Sequence, residues 1–469
     1  MKTRAEKDSL GVRQIPDSVY YGIQTDRAVE NFPISGLRAH PRFIDAFLYV
    51  KRAAALANLK AGELPKPLAD ALMRACDEIL EGALRDQFPV DVFQMGAGTA
   101  FNMNVNEVLA NRANEILGSA KGSYSPVHPN DHANMGQSTN DVYPTACRIA
   151  LLFILKEYLH GPLEALEKAL FAKAKEFDRI LKSARTHLQD AVPIRLGQEF
   201  SAYGEAIKKS SAALLEAEKS LYELGIGGSA VGTGLNTAHG YREAVIKELS
   251  RLTGLALLPA NDMREAMQSQ RPLAQVSATL RNLCLEITRI VNDLRLLASG
   301  PTTGLAEINL PAMAPGSSIM PGKVNPSILE MMNMSAFHMI GSDTTVALAV
   351  QAGQLELNVM MPVMAFNLNF STMVLGNSIK ILCEKCISGI TANEERCRYY
   401  AETSIGLATA LNATLGYAKA AEVTKEALAS KKTIIQIIRE KKILSEDQIK
   451  KGMDPVKMTE PGIPGMGKD

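Results

Sequence analysis

Apolar residues recur along this chain at helical spacing far more often than they alternate. The clearest run is Val276, Leu280, Leu283, Ile287, Ile290 and Leu294, separated by four and three residues in turn, which is the a/d stripe of a helix packed along its whole length. At ~1.5 Å per residue, a helix from about Pro272 to Ser299 is on the order of 40 Å long. Gly300-Pro301 ends it. Comparable patterns predict helices from about Thr145 to Leu181, Arg195 to Leu224 and Ser327 to Ile390, and shorter ones over Ile405 to Ala429 and Thr433 to Lys451. Helices this long, apolar on more than one face, predict a bundle whose surfaces are shared with other subunits. Leu357 to Ile379 carries no charged residue and is long enough to span a bilayer. Its Asn358, Asn367, Asn369, Asn377 and Pro362 are costly in lipid, however, so a helix buried on all sides of a bundle is the better expectation.

Between the helical patterns lie five irregular, polar segments: GAGTAFNMNVNE (Gly96 to Glu107), HPNDHANMGQSTND (His128 to Asp141), ARTHLQDAVP (Ala184 to Pro193), GGSAVGTGLNT (Gly227 to Thr237) and APGSSIMPGKVNPSILE (Ala314 to Glu330). Function concentrates in such loops when a rigid scaffold holds them. The pattern divides the chain into an N-terminal domain over 1–139, a central long-helix bundle over 140–393 and a small C-terminal domain over 394–469. Past Lys451 a glycine- and proline-rich tail is expected to be mobile.

Composition removes several classes of function. Over 469 residues, Lys and Arg number 51 against 50 Asp and Glu, a net charge of +1. That balance leaves no footprint for nucleic acid or an anionic membrane, and neither partner is expected. The apolar fraction of 46% and charged fraction of 22% belong to an ordinary globular chain. Cys76, Cys147, Cys284, Cys383, Cys386 and Cys397 are scattered through a chain too long to need staples, which suits a reducing compartment. The N-terminal MKTRAEKDSLG has no apolar core of a signal peptide, so a cytoplasmic location is expected. CEKC at Cys383 to Cys386 has no second pair or histidine at ligand spacing and is read as incidental thiols.

The polar segments offer Thr99, Ser138, Thr139, Asn140, Thr186, Ser317, Ser318 and Asn325, joined by His187 and Lys323. A set rich in neutral donors with a single cation suits a small anion bearing one or two carboxylates. No G-x-G-x-x-G or phosphate loop stands between strand and helix, no metal-ligand cluster is present, and GSS lacks the G-x-S-x-G elbow. Proton abstraction beside a carboxylate remains. The aci-carboxylate it creates needs pre-placed donors, each worth ~3 kcal/mol in a dry site. Ser317 can serve as base if Lys323 and loop amides stabilise its alkoxide; His187 is the alternative, histidine being the commonest base near neutral pH.

GSSIMPGKVNP resembles the signature of the aspartase/fumarase superfamily, and GAGT with NMNVNEV, QSTND, RTHLQDAVP and GTGLNT resemble its other segments in the same order. The resemblance runs from YYGIQTDRAVENFPISG (Tyr20 to Gly36) to KMTEPGI near the end. It implies a mainly α, three-domain fold whose central bundle forms the 20-helix core of a homotetramer, with each active site built from three subunits. STN at Ser138 to Asn140, YYG at Tyr20 to Gly22 and GQLELNVM at Gly353 to Met360 resemble the aspartate ammonia-lyase branch, which implies reversible deamination of L-aspartate to fumarate. HPND resembles instead the secondary anion site of fumarases, which would fall on His128, Asn130 and Asp131 and makes fumarate hydratase the alternative. Ala100 departs from the serine or glutamine usual after GAGT.

By the same resemblance Ser317 is the base at Cβ, while Thr99, Ser138, Thr139 and Ser318 hold the β-carboxylate. Lys323, Asn325 and Thr186 hold the α-carboxylate, Asn140 and His187 contact the amine, and Glu330 pairs with His187. No cofactor is implied, and activation by a divalent metal is not legible in these residues. A catalytically silent homologue is argued against by the intact Ser317, Lys323, His187 and Asn140.

Overall fold

The apolar stripes become helices where their spacing demands it. In the computed structural model, which describes residues 2–464, helices carry the fold, and the strands among the described residues form only two-stranded ribbons. The a/d stripe lies on the helix Arg271–Leu297, and all six of its residues are buried. Thr139–Ile154 continues through a π-turn, Leu155–His160, into Gly161–Glu176. It begins earlier than the periodicity predicts because Ser138 and Asp141 form a capping box there.

Four expectations need correction. The single helix expected from Ser327 to Ile390 is two, Ser327–Gln351 and Met361–Lys385. Asn358 separates them: its Nδ2 donates to the carbonyls of Ala349 and Val350, each at 3.0 Å, and its Oδ1 accepts from the Met360 amide at 2.9 Å. One side chain thus satisfies the end of one helix and the start of the next. The segment ARTHLQDAVP is not a loop but most of a hairpin, Leu181–Thr186 against Gln189–Arg195. Each C-terminal helix also divides: Tyr417–Ser430 follows a break at Gly416, and Ile434–Glu440 and Glu446–Gly452 each carry their own capping box. The tail is tied down as far as Glu460, since Gln198 donates to the Thr459 carbonyl at 3.0 Å and Arg195 pairs with Glu460. Its last stretch, 465–469, lies outside the described residues.

The chain packs as two compact units, each assembled from three stretches. One holds residues up to Gly161, Ala212–Cys284 and Ser335–Gly376; the other holds Pro162–Ser211, Leu285–Met334 and the residues from Asn377 onward. The first unit is centred on Phe43, Phe47, Phe101 and Tyr143, with ring centroids from 5.0 to 5.5 Å apart. In the second, Phe177, Phe200 and Tyr203 pack edge to face, and a separate apolar cluster joins Leu407, Leu411, Val423, Ile437 and Ile438. All six cysteines are unpaired and buried. Burial pushes the Cys284, Cys386 and Cys397 thiols up to about 12. Among the described residues no helix is long and apolar enough to cross a membrane.

Candidate active site

The candidate residues divide between the two units. In the first, Thr99 opens the helix Thr99–Ile116 directly after the GAG turn. Ser138 caps the helix beginning at Thr139, its Oγ accepting the Asn140 amide at 3.2 Å. That bond uses a lone pair and leaves the hydroxyl hydrogen free to donate. Thr139 is arranged alike: its Oγ1 accepts from Asn102 Nδ2 at 3.1 Å. The Asn140 Nδ2 donates to the Ala230 carbonyl at 2.8 Å, which directs the amide and leaves Oδ1 to accept.

Behind these groups lies Asp141, fully buried. Its Oδ1 accepts the Ser138 amide at 2.9 Å, and its Oδ2 accepts the Gly227 and Ser229 amides, each at 3.0 Å. Burial pushes its carboxyl up to about 7, against the downward pull of those three donors. Buried Lys51 donates to Asn134 Oδ1 and Gln137 Oε1, each at 3.0 Å, and loss of hydration draws its ammonium down to about 7. The proposed anion-site residues stand nearby in sequence. His128 Nδ1 accepts the amides of Asn130 at 3.2 Å and Asp131 at 3.3 Å, so its remaining donor is Nε2–H.

In the second unit, Thr186 and His187 stand exposed at the tip of the hairpin. Thr186 pairs with Gln189, so the turn is only His187 and Leu188, both at positive φ, 54° and 59°. Two-residue hairpin turns of type I′ require that conformation at both positions, and strain of this kind concentrates at functional sites. The base of the hairpin is fixed by a buried ionic cluster: Lys182 lies 2.7 Å from Glu199 and 3.1 Å from Glu307, and Arg185 lies 3.0 Å from Glu307.

The serine loop closes on itself. The Ser317 amide donates to the Lys323 carbonyl at 3.0 Å, and the Lys323 amide to that of Met320 at 3.3 Å. Inside this turn, Ser317 Oγ accepts from the amides of Ile319 at 3.2 Å and Met320 at 2.9 Å. Two donors aimed at one hydroxyl oxygen favour its deprotonated form. Ser318 and Lys323 are exposed, Asn325 and Glu330 half-buried. Glu330 lies in the first turn of the helix Ser327–Gln351. Among the described residues, His187 and Glu330 form no hydrogen bond with each other inside one chain.

An apolar cavity of about 200 Å³, lined by Phe43, Phe101, Tyr143, Phe366 and Phe370 among others, contains none of the candidate residues. Its lining is wrong for a small dicarboxylate, and the site is better located by its donors. Sequence reasoning missed Asp141, Asn102, Lys51 and the amides of Ile319 and Met320. Only Asp141 left a readable signal, the S-x-x-D spacing of a capping box. Among the described residues no group of three or more His, Cys, Asp or Glu side chains is placed to hold a metal ion.

The family described as Lyase matches residues 11–341, and Fumarase C C-terminus matches residues 407–460. Aspartate ammonia-lyase of Bacillus subtilis (strain 168) is 48% identical over 462 residues, covering 98% of this chain and 97% of that protein. Aspartate ammonia-lyase of Helicobacter pylori (strain ATCC 700392 / 26695) is 48% identical over 460 residues, covering 98% of each. Among solved structures, the Brucella melitensis fumarate lyase:delta crystallin bound to cobalt superposes with a TM-score of 0.95 at 48% identity, covering 98% of this chain and 100% of that one. The recombinant class II fumarase of Schistosoma mansoni also reaches 0.95, at 35% identity, covering 98% and 99%. Likeness this extensive, over a helical fold that presents the serine loop and the STN cap intact, places the chain in the aspartase/fumarase superfamily of lyases, on its aspartate ammonia-lyase branch.

Proposed function

We propose that this protein is a carbon–nitrogen lyase that reversibly converts L-aspartate to fumarate and ammonia. The observation that carries the reading is the turn around Ser317, whose Oγ already accepts two backbone amides. As an alkoxide it removes the Cβ proton of L-aspartate. The electron pair left on Cβ delocalises into the β-carboxylate, giving an aci-carboxylate. The free hydroxyl hydrogens of Ser138 and Thr139, with those of Thr99 and Ser318, are the donors for that charge, each worth ~3 kcal/mol where water is excluded. Collapse of the aci-carboxylate forms the double bond and breaks Cα–N; the ammonium group of the substrate departs as ammonia. Asn140 Oδ1 and His187 receive the amine, and Lys323, Asn325 and Thr186 hold the α-carboxylate.

Exposed Ser318, Lys323, Thr186 and His187 suit a site completed by other copies of the chain, and a homotetramer with shared sites supplies them. A Glu330 to His187 pair would then form between copies. The proposed proton abstraction and elimination call for no cofactor, and the location that fits six unpaired thiols is the cytoplasm. A secondary anion site at His128, Asn130 and Asp131 would rely on the His128 Nε2–H and the exposed Asn130 amide, against the repulsion of the Asp131 carboxylate. Identity of 48% to named aspartate ammonia-lyases against 35% to a class II fumarase supports the amine over the hydroxyl leaving group.

Fumarate appearing from L-aspartate is followed by its ultraviolet absorbance. Turnover of L-malate with none of L-aspartate would overturn the reading in favour of a hydratase. Ser317→Ala is expected to abolish turnover with the oligomer and thermal midpoint unchanged, and retained activity refutes the serine base.

A further inference from the structure

We infer that Asp141 is the positioning residue of the carboxylate-binding donors, a buried carboxyl group that clamps the Ser138–Asn140 cap to the glycine-rich turn at Gly227–Ala230. The inference rests on the proposed lyase reaction for its assay. Its structural basis is independent of that reaction.

One carboxylate joins two segments far apart in sequence. It accepts the amide of Ser138 on one side and the amides of Gly227 and Ser229 on the other. Asn140 closes the same junction through the Ala230 carbonyl. Ser229 is held there at φ 57°, a conformation a serine does not choose unaided. The opposite end of the loop is braced by Lys51 through Asn134 and Gln137. Asn134 Oδ1 also accepts from Asn102 Nδ2 at 3.2 Å, and Asn102 in turn reaches Thr139 Oγ1. Ser138, Thr139 and Asn140 are therefore each fixed by a bond that leads back to this interior network.

A helix cap alone does not explain the arrangement. Two other capping boxes in this chain, Thr433 with Gln436 and Ser445 with Gln448, use a neutral glutamine at the corresponding position near the surface. At Ser138 the same place is taken by a fully buried carboxylate that accepts from three backbone amides, with the Lys51 ammonium acting on it through space. Burying an anion is costly unless its acceptors are satisfied. Here three backbone donors satisfy them, and all three lie beside the groups that would meet substrate. An amide side chain of the same size would turn an N–H toward one of those donors and release it. The clamp thus asks both side-chain oxygens to accept, and what it fixes is the backbone that carries the Ser138 hydroxyl.

The test is a double-mutant cycle in the full-length protein. Asp141→Asn and Ser138→Ala are each expected to lower kcat/KM for L-aspartate at least tenfold, with thermal midpoint and oligomer size retained. If Asp141 acts by aiming Ser138, the double variant is no more than about threefold below the weaker single variant. Gln448→Ala, which removes a capping box elsewhere, leaves kcat/KM within twofold. Losses that multiply in the double variant, or an Asp141→Asn protein of undiminished activity, overturn the inference. Should Asp141→Asn fail to fold, hydrogen exchange of the wild type decides: peptides spanning 134–141 and 225–232 are expected to be protected before any ligand is added. Rapid exchange there, slowed only by succinate, would mean that no preformed clamp exists. If the wild type consumes L-malate and not L-aspartate, the reaction assigned here fails, and the same cycle measured with L-malate still judges Asp141.

Discussion

Gly316→Ala probes the serine loop most directly. Gly316 has φ +92°, and a Cβ placed there would lie 1.6 Å from the Lys323 carbonyl oxygen. Alanine must first adopt a left-handed backbone, at roughly 1–2 kcal/mol. It must also push Lys323 away and break the 3.0 Å bond from the Ser317 amide, a loss of about 1 kcal/mol. The closed turn is then disfavoured by about 2–3 kcal/mol, which at ~1.4 kcal/mol per tenfold lowers kcat/KM about 30- to 150-fold. Because the loop is exposed and joined to neither apolar core, the thermal midpoint should hardly move. Gly322 supplies the internal standard: its φ is +79°, but a Cβ there meets nothing within 4 Å. Gly322→Ala carries only the backbone cost, roughly 5- to 30-fold by the same conversion. The assay is initial-rate fumarate formation for both variants beside thermal unfolding. Equal effects at the two glycines, or a Gly316→Ala enzyme within twofold of wild type, would refute the claim that this turn is the geometry in which Ser317 works.

Other perturbations test the supports. Glu307→Gln takes the shared carboxylate from Lys182 and Arg185 at the foot of the hairpin and should cost about 3 kcal/mol in denaturant unfolding; a loss below about 1 kcal/mol would show the cluster to be incidental. Leu188, 70% exposed at φ 59°, gives way to asparagine with a gain of about 1 kcal/mol because asparagine tolerates this conformation, and a lower thermal midpoint for Leu188→Asn contradicts the strain. Glu107 accepts the amides of Gly22, Gln24 and Thr25 and the Thr25 hydroxyl, yet burial outweighs these donors and raises its carboxyl to about 7. Folding therefore binds a proton between the ordinary carboxylate value and about 7, and the stability this supplies is present at low pH and lost as pH rises through 7. The stability difference between wild type and Glu107→Gln should accordingly shrink from pH 5 to pH 8 in thermal scans, and a widening difference refutes the direction.

What was legible in the sequence followed from periodicity and from residue type. The stripe from Val276 to Leu294 states its helix because each of its residues is buried for the same reason. The break before Met361 was hidden, since apolar residues continue through it and the interruption depends on what one asparagine bonds to in three dimensions. The hairpin at Leu181–Arg195 was hidden too: its register shifts between Ser183 and Arg185, which destroys the alternation that would betray strands. For the candidate site, hydroxyl and amide side chains offered themselves by type. Lys51 and Asn102 did not, and Asp141 showed only as a helix cap, because their part depends on burial, which spacing alone does not encode.

The unpaired thiols are built-in reporters of unfolding. Cys76, Cys147 and Cys284 belong to the first unit, and Cys383, Cys386 and Cys397 to the second. Shielded and weakly acidic, they are inert toward alkylating reagents until the packing around them opens. Each unit therefore carries its own chemical clock. The rate at which iodoacetamide labels each set, read by mass, would time the opening of one half of the molecule against the other without any engineered probe.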